Sequence, residues 1–269
     1  MTRFTYPFFV WKNHRGLILF CTAFVILIQF LVIWLFTTMD YAPAIRMMLE
    51  QLPPQMRMLI NEEFISSLSA EGAAAFGLNH PAVLALCALA AIIIPARHID
   101  GEIEAGTMEL LLSYPVTRAR LFITLTGSVA LILLLISAAS LAGSAAGLIC
   151  FHTLTSSLLM RLVMIVINMW VLFLLVAGYT LTLSAYARES GRAGTWSAGI
   201  TLVFYVMYFL SRLSDGLSFL RPLNIFNYYQ PQKLMFSEGH FLPDTAFLAG
   251  AALLFLSAGL RRFVGRDIP

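Results

Sequence analysis

The side chains with chemical reach are His14, His80, His98, His152 and His240, Cys21, Cys87 and Cys150, twelve methionines and a small set of carboxylates. Imidazole and thiolate would hold a metal, and a histidine beside a serine would activate a nucleophile. Their spacing supports neither. The histidines are dispersed, with no HExxH pattern and no close His/Asp cluster. His98 and Asp100 are near neighbours, but two residues apart on a helix they point in different directions. Ser137, Ser140 and Ser144 have no histidine or lysine at helical spacing to activate them. The cysteines show no CxxC pairing and sit in or at the edge of apolar runs, as small core residues do. Met39, Met47, Met48, Met56 and Met58 share one segment, and soft thioethers select copper(I). Methionines on the apolar side of surface helices explain them more simply, so no metal site is expected. A Walker A loop needs a Gly-Lys pair, whereas Lys12 and Lys233 follow Trp11 and Gln232. The chain is expected to carry no catalytic residue and no cofactor of its own.

What remains is one polar stretch, GEIEAGTMELLLSYPVTR, at residues 101–118. On a helix at 100° per residue, Glu102, Gly106, Glu109 and Ser113 share a narrow face. Ile103, Thr107, Leu110 and Leu111 lie on the broad opposite face. Glu104 falls off the polar face, and Gly106 weakens a helix interior by roughly 1 kcal/mol relative to alanine. A break there, with Thr107 capping a shorter second helix, is as well supported as one rod. Pro115 ends either form, because Tyr114 before it is biased away from helical angles. The stretch is expected to be a short helical element at a membrane surface, facing a partner.

The elements that must position it are apolar. The chain is 59% hydrophobic and 12% charged, with a mean hydropathy of +0.84, which marks an all-α integral membrane protein in a single transmembrane domain, 1–269. Its net charge of +3 is scattered rather than striped and carries no nucleic-acid message. Residues 1–16 mix aromatics with Arg3, Lys12, His14 and Arg15 and suit an interfacial helix. Six transmembrane helices are expected at 17–36, 73–96, 121–149, 162–184, 195–210 and 245–260, each measured against about 30 Å of hydrocarbon. The first is too long for a signal peptide's apolar core. Residues 37–72 are expected to form an extracytoplasmic cap and 97–120 a cytoplasmic coupling region. The outer loop, 211–244, is apolar and aromatic enough to dip back into the membrane where protein covers its backbone. Ala139, Gly143 and Gly147, at four-residue spacing, let another helix approach closely. Asn168 is expected to hydrogen-bond between helices.

Lysine and arginine set the orientation. With the N-terminus inside, Arg3, Lys12, Arg15, Arg97, Arg118, Arg120, Arg188, Arg192, Arg261, Arg262 and Arg266 face the cytoplasm. Arg46, Arg57, Arg161, Arg212, Arg221 and Lys233 face outward. The asymmetry places both termini and the 101–118 stretch in the cytoplasm. No Asp, Glu, Lys or Arg falls well inside a span, which argues against an ion-coupled carrier.

At this point the residues resemble a known family. DGEIEAGTMELLLSYPVTRARL is similar to the cytoplasmic signature of the permease subunits of type-2 ABC exporters: an acidic residue, a small residue, Gly-Thr, Glu, a leucine run, then Pro-Val-Ser/Thr-Arg. Glu102, Gly106, Thr107, Glu109, Leu110 to Leu112, Pro115, Thr117 and Arg118 match it. LNIFNYYQPQKLMFSEGHF before the sixth span and FVGRDI after it are weaker matches. The family's lysine beyond this motif is missing, with Thr124 and Thr126 in that region. The resemblance implies a type-2 exporter fold in a bacterial inner membrane. It implies a second permease copy, making a homodimer, and two cytosolic ABC ATPase subunits that carry ATP and Mg. The loop holding 101–118 would dock on those ATPases. Glu102, Glu104, Glu109 and Arg118 would be its rim charges, Leu110 and Leu111 its anchors, and Gly106, Thr107 and Pro115 part of the same interface. The work done would be export of a substrate or force transmission to a periplasmic partner. The cap and compact size are compatible with the branch that serves nitrous-oxide reductase maturation. The alternatives are a non-ABC membrane scaffold and a membrane-embedded enzyme.

Overall fold

An apolar run in lipid must satisfy its own backbone hydrogen bonds, and a helix does so within one segment. The computed structural model describes residues 5–39, 47, 69–102, 105–106, 117–187, 192–213 and 215–265, and among these it contains helices and no strand. Six helical stretches are long and apolar enough to cross a membrane: Tyr6–Thr38, Ala70–Gly101, Arg118–Cys150, Ser156–Tyr186, Arg192–Ser211 and Phe241–Val264.

The first helix, α1 (Thr5–Thr38), joins the expected interfacial segment and first span into one element. Pro7 falls in its first turn, where the missing N–H would have had no helical partner. At 1.5 Å per residue its 34 residues span about 51 Å, well beyond the hydrocarbon thickness. The second crossing is divided. α2 (Ala70–Leu78) ends at Asn79, and α3 (Pro81–Ala96) begins with Pro81 at its first position and the His80 ring nitrogen accepting from the Ala82 N–H at 3.2 Å. Beyond Pro95, which withholds one helical donor, α3 widens into a π-helical turn, Arg97–Gly101. α4 (Arg118–Cys150) starts at Thr117, whose hydroxyl accepts from the Arg120 N–H at 3.3 Å. α5 (Ser156–Tyr186) and α6 (Arg192–Leu213) follow. The long loop after α6 folds into 3-10 segments Asp215–Leu223 and Ile225–Tyr228, then a short helix, α7 (Pro231–Met235), before α8 (Phe241–Val264). The helices overrun most of the expected spans, because the helical hydrogen-bond ladder continues into residues that an apolar window excludes.

The chain passes back and forth between two ends. The proximal end gathers the start of α1, the end of α3, the starts of α4 and α6, and the ends of α5 and α8. At the distal end the loop after α6 closes over the bundle. Tyr229, 1% exposed, donates to the Leu78 carbonyl at 2.9 Å, satisfying an acceptor left free at the end of α2, and burial pushes its phenol well above the ordinary range. The Arg161 guanidinium donates to the Met235 carbonyl at 2.7 Å, fixing α7 to α5.

Two close seams hold the bundle. On α4, a Cβ at Gly143 would meet the Ile26 carbonyl oxygen at 2.8 Å and Gln29 Cβ at 2.9 Å, and one at Gly147 would meet Ile33 at 3.0 Å. Ala139 is buried on the same face. The small residues thus receive α1 of the same chain, and Ser144 Oγ donates to the fully buried Gln29 Oε1 at 3.2 Å. In the second seam, α5 on α8, a Cβ at Gly178 would meet the Ala252 carbonyl oxygen at 3.3 Å and one at Gly259 would meet Thr182 Oγ1 at 3.0 Å. Thr182 Oγ1 donates to the Phe255 carbonyl at 2.6 Å and Asn168 Nδ2 to Thr245 Oγ1 at 2.9 Å. Interhelical hydrogen bonds of this kind contribute about 1 kcal/mol in lipid. Asn168→Leu is therefore expected to lower stability by roughly 1 kcal/mol in thermal unfolding, without loss of the fold.

Candidate functional site

The proximal end is where the 101–118 connection departs. α3 finishes through the π turn to Glu102, and the Ala105 N–H donates back to the Gly101 carbonyl at 3.1 Å. Gly106 then adopts φ +68°, with nothing within 4 Å of the place a Cβ would occupy. Space is not the constraint there; the left-handed backbone is. One continuous rod is thus interrupted at Gly106, while the expected Thr107 cap and second helix lie outside the described residues. A β-branched side chain in that conformation costs about 1–2 kcal/mol. Gly106→Val should therefore loosen the turn, read as faster proteolysis in the 101–118 connection than in the parent protein.

Of the expected interface, Glu102 and Arg118 are half-buried at the two roots of the connection, and Gly106 is exposed at the turn. Glu104, Thr107, Glu109, Leu110, Leu111 and Pro115 lie outside the described residues.

The π turn is fastened on two sides. His98, 2% exposed, turns toward α1, where its ring meets Tyr6 at 6.1 Å, Phe9 at 6.0 Å and His14 at 5.2 Å, all edge-on. Asp100, 3% exposed, turns toward α5, and its Oδ1 accepts from Ser184 Oγ at 3.3 Å. The two side chains diverge, as their spacing requires, and in diverging they tie the root of the connection to both neighbours. The rest of this end is packed by aromatics and arginine: Phe122 on Phe263 at 5.8 Å, and the Arg262 guanidinium over the Tyr186 ring at 5.0 Å. Sequence spacing could not reveal the His14–His98 contact, because the residues come from different crossings.

A second feature lies on the flank of the bundle. α3 and α6 leave between them a cavity of about 390 Å3 that opens sideways, lined chiefly by Leu84, Ala88, Leu89, Leu202 and Tyr205 and closed distally by Phe226. Thr201 brings a hydroxyl to its wall, but that hydroxyl is already committed to the Ser197 carbonyl at 2.7 Å and to the Tyr179 hydroxyl. The cavity offers apolar contact and no charge. Among the described residues no three His, Cys, Asp or Glu side chains converge as a metal site. Cys21 and Cys87 are free and buried, and Cys150 is free and exposed.

A family model described as ABC-2 family transporter protein matches residues 14–268 of the chain. A search of curated proteins finds no match.

Proposed function

Because the chain belongs to the ABC-2 family of transporter membrane proteins, we propose that this multi-pass permease works as one of two identical permease copies with two cytosolic ATPase subunits. ATP and Mg bind on those partners. The permease converts their closure into export of a substrate or into force on a periplasmic partner. It resides in a bacterial inner membrane with both termini and the proximal end in the cytoplasm.

The observation that carries this reading is the construction of the proximal end. Among the described residues, Lys12, Arg15, Arg97, Arg118, Arg120, Arg192, Arg261 and Arg262 all lie on elements that start or finish there, as a cytoplasmic face requires. The 101–118 connection leaves from a turn fastened to α1 through His98 and to α5 through Asp100. A push on that connection is delivered to three crossings at once, which is what a coupling element needs. Glu102, Glu104, Glu109 and Arg118 form the polar rim of the docking surface, and Leu110 and Leu111 its apolar anchors, with Gly106, Thr107 and Pro115 setting its shape. The α3–α6 cavity, apolar and without charge, suits an apolar or neutral cargo.

The test is purification of the tagged chain from its native membrane. An ABC ATPase should co-elute in one-to-one stoichiometry and hydrolyse ATP. Elution of the chain without any ATPase would remove the reading and restore the scaffold or embedded-enzyme alternatives.

A further inference from the structure

The α3–α6 cavity opens on the flank of the bundle and is plugged at its distal end. The Phe226 ring lies edge-on to Tyr205 at 5.6 Å, and the Phe226 N–H donates to Asn224 Oδ1 at 2.9 Å. Asn224 Nδ2 donates in turn to the Phe204 carbonyl at 2.7 Å, which fastens the plug to α6 itself. Toward the proximal end the lining finishes at Ile92 on α3 and Ala198 on α6. Beyond it the two helices touch through small residues, where a Cβ at Gly194 would meet Ala96 Cβ at 3.5 Å. Next to that contact in the chain stand Arg97 and Arg192, both exposed, and Trp196, 66% exposed. Neither helix contains a carboxylate, and Asp100 on the π turn is buried against Ser184.

An apolar cavity on this flank stays dry, because water finds too few polar partners in it. What the bilayer supplies instead is an acyl chain. The charges select its leaflet and its headgroup. Two arginines with an exposed tryptophan mark the headgroup layer at the proximal end, whereas Arg221 near the distal end of α6 is committed to the Ser211 carbonyl at 3.1 Å. At 1.5 Å per residue, Arg97 stands about 14 Å from Ala88 along the helix, and Arg192 about 15 Å from Leu202. One leaflet contributes half of about 30 Å of hydrocarbon, so a chain headed at the arginines reaches these lining residues. Guanidinium and phosphate pair through two parallel hydrogen bonds, and basic pockets between cytoplasmic helix ends recognise anionic headgroups. We propose that the cavity holds an acyl chain of an anionic phospholipid from the proximal leaflet, with the headgroup phosphate on Arg97 and Arg192. The lipid is a resident ligand rather than cargo. The site does not rest on the transport reading, because its occupancy is measured on the chain without any ATPase.

The experiment adds phosphatidylglycerol, or phosphatidylcholine with the same chains, to the full-length protein in detergent and counts bound lipid by native mass spectrometry. One phosphatidylglycerol per chain is expected, held about 10-fold or more tightly than phosphatidylcholine. Arg97→Gln together with Arg192→Gln should erase that preference. Arg120→Gln together with Arg261→Gln, which removes equal charge elsewhere on the proximal end, should keep it. Ala88→Phe fills the cavity and should lower retention of both lipids about 10-fold. Ala198→Phe makes the same change from α6, should Ala88→Phe not fold. Equal retention of the two lipids by the parent overturns the site. An equal loss of preference in the two arginine pairs overturns it too, since the attraction would then belong to the whole basic face. Unchanged retention in the folded cavity-filling variants has the same consequence. A lipid-free dimer that Ala88→Phe dissociates would give the cavity to a second copy and overturn the lipid.

Discussion

Leu111→Arg is expected to uncouple the protein from its ATPase partners while leaving it inserted and folded. If the residues after Gly106 are helical, the 100° spacing puts Leu111 beside Leu110 and away from Glu109. An anchor of this type fills a pocket on its partner, and truncating such a residue commonly costs 2 kcal/mol or more. Arginine does worse than truncation, because it carries an unpaired guanidinium into a desolvated contact. The loss amounts to about 30-fold or more in ATPase retention. Glu109→Arg, reversing a rim charge, should weaken the same contact, with a stronger dependence on salt. Leu111→Met preserves volume and should be near neutral. The readouts are co-purified ATPase and its hydrolysis rate, with size-exclusion chromatography reporting the fold. Wild-type retention by Leu111→Arg would mean that the stretch merely solvates a loop.

Gly143→Leu should prevent accumulation of folded protein altogether. At that position even a Cβ would sit 2.8 Å from the Ile26 carbonyl oxygen and 2.9 Å from Ile26 Cα, so the obstruction is backbone and cannot swing aside. Overpacking a core commonly costs 1–3 kcal/mol and more where the neighbour is fixed. Separating α1 from α4 would also strand Gln29, whose only side-chain contact of hydrogen-bond length is to Ser144 among the described residues. Gly127 supplies the control on the same helix: nothing lies within 4 Å of its Cβ position, so Gly127→Leu should be tolerated. Recovery of both variants at equal yield in a single elution peak would contradict the seam.

The crossings were legible in the sequence as six apolar runs, four of them at or above the roughly twenty residues that a bilayer demands. Ala139, Gly143 and Gly147 stood out because the closely approached surface lies on one helix at four-residue spacing. The α5–α8 seam did not, because Gly178 and Gly259 come from opposite helices and no pattern on either strand of sequence joins them. The continuity of α1 was hidden for a different reason. Lys12, His14 and Arg15 interrupt the apolar pattern, yet helical hydrogen bonding takes no notice of polarity and runs through them. At the proximal end, the charges of Glu102 and Arg118 marked the two roots of the connection, where both are half-buried. The contacts of His98 and Asp100, which fasten its root, depend on helices brought together from different crossings and have no signature in local spacing.

The central claim is that the 101–118 connection is the surface on which ATPase subunits act. A photoreactive amino acid placed at Leu110, irradiated in intact membranes, tests it most directly. The account predicts a cross-link to a cytosolic ABC ATPase that forms with the inserted protein and disappears when Leu111 is changed to arginine. A probe at Leu110 that cross-links only to lipid or to the chain itself, in membranes where the ATPase is present, would contradict it.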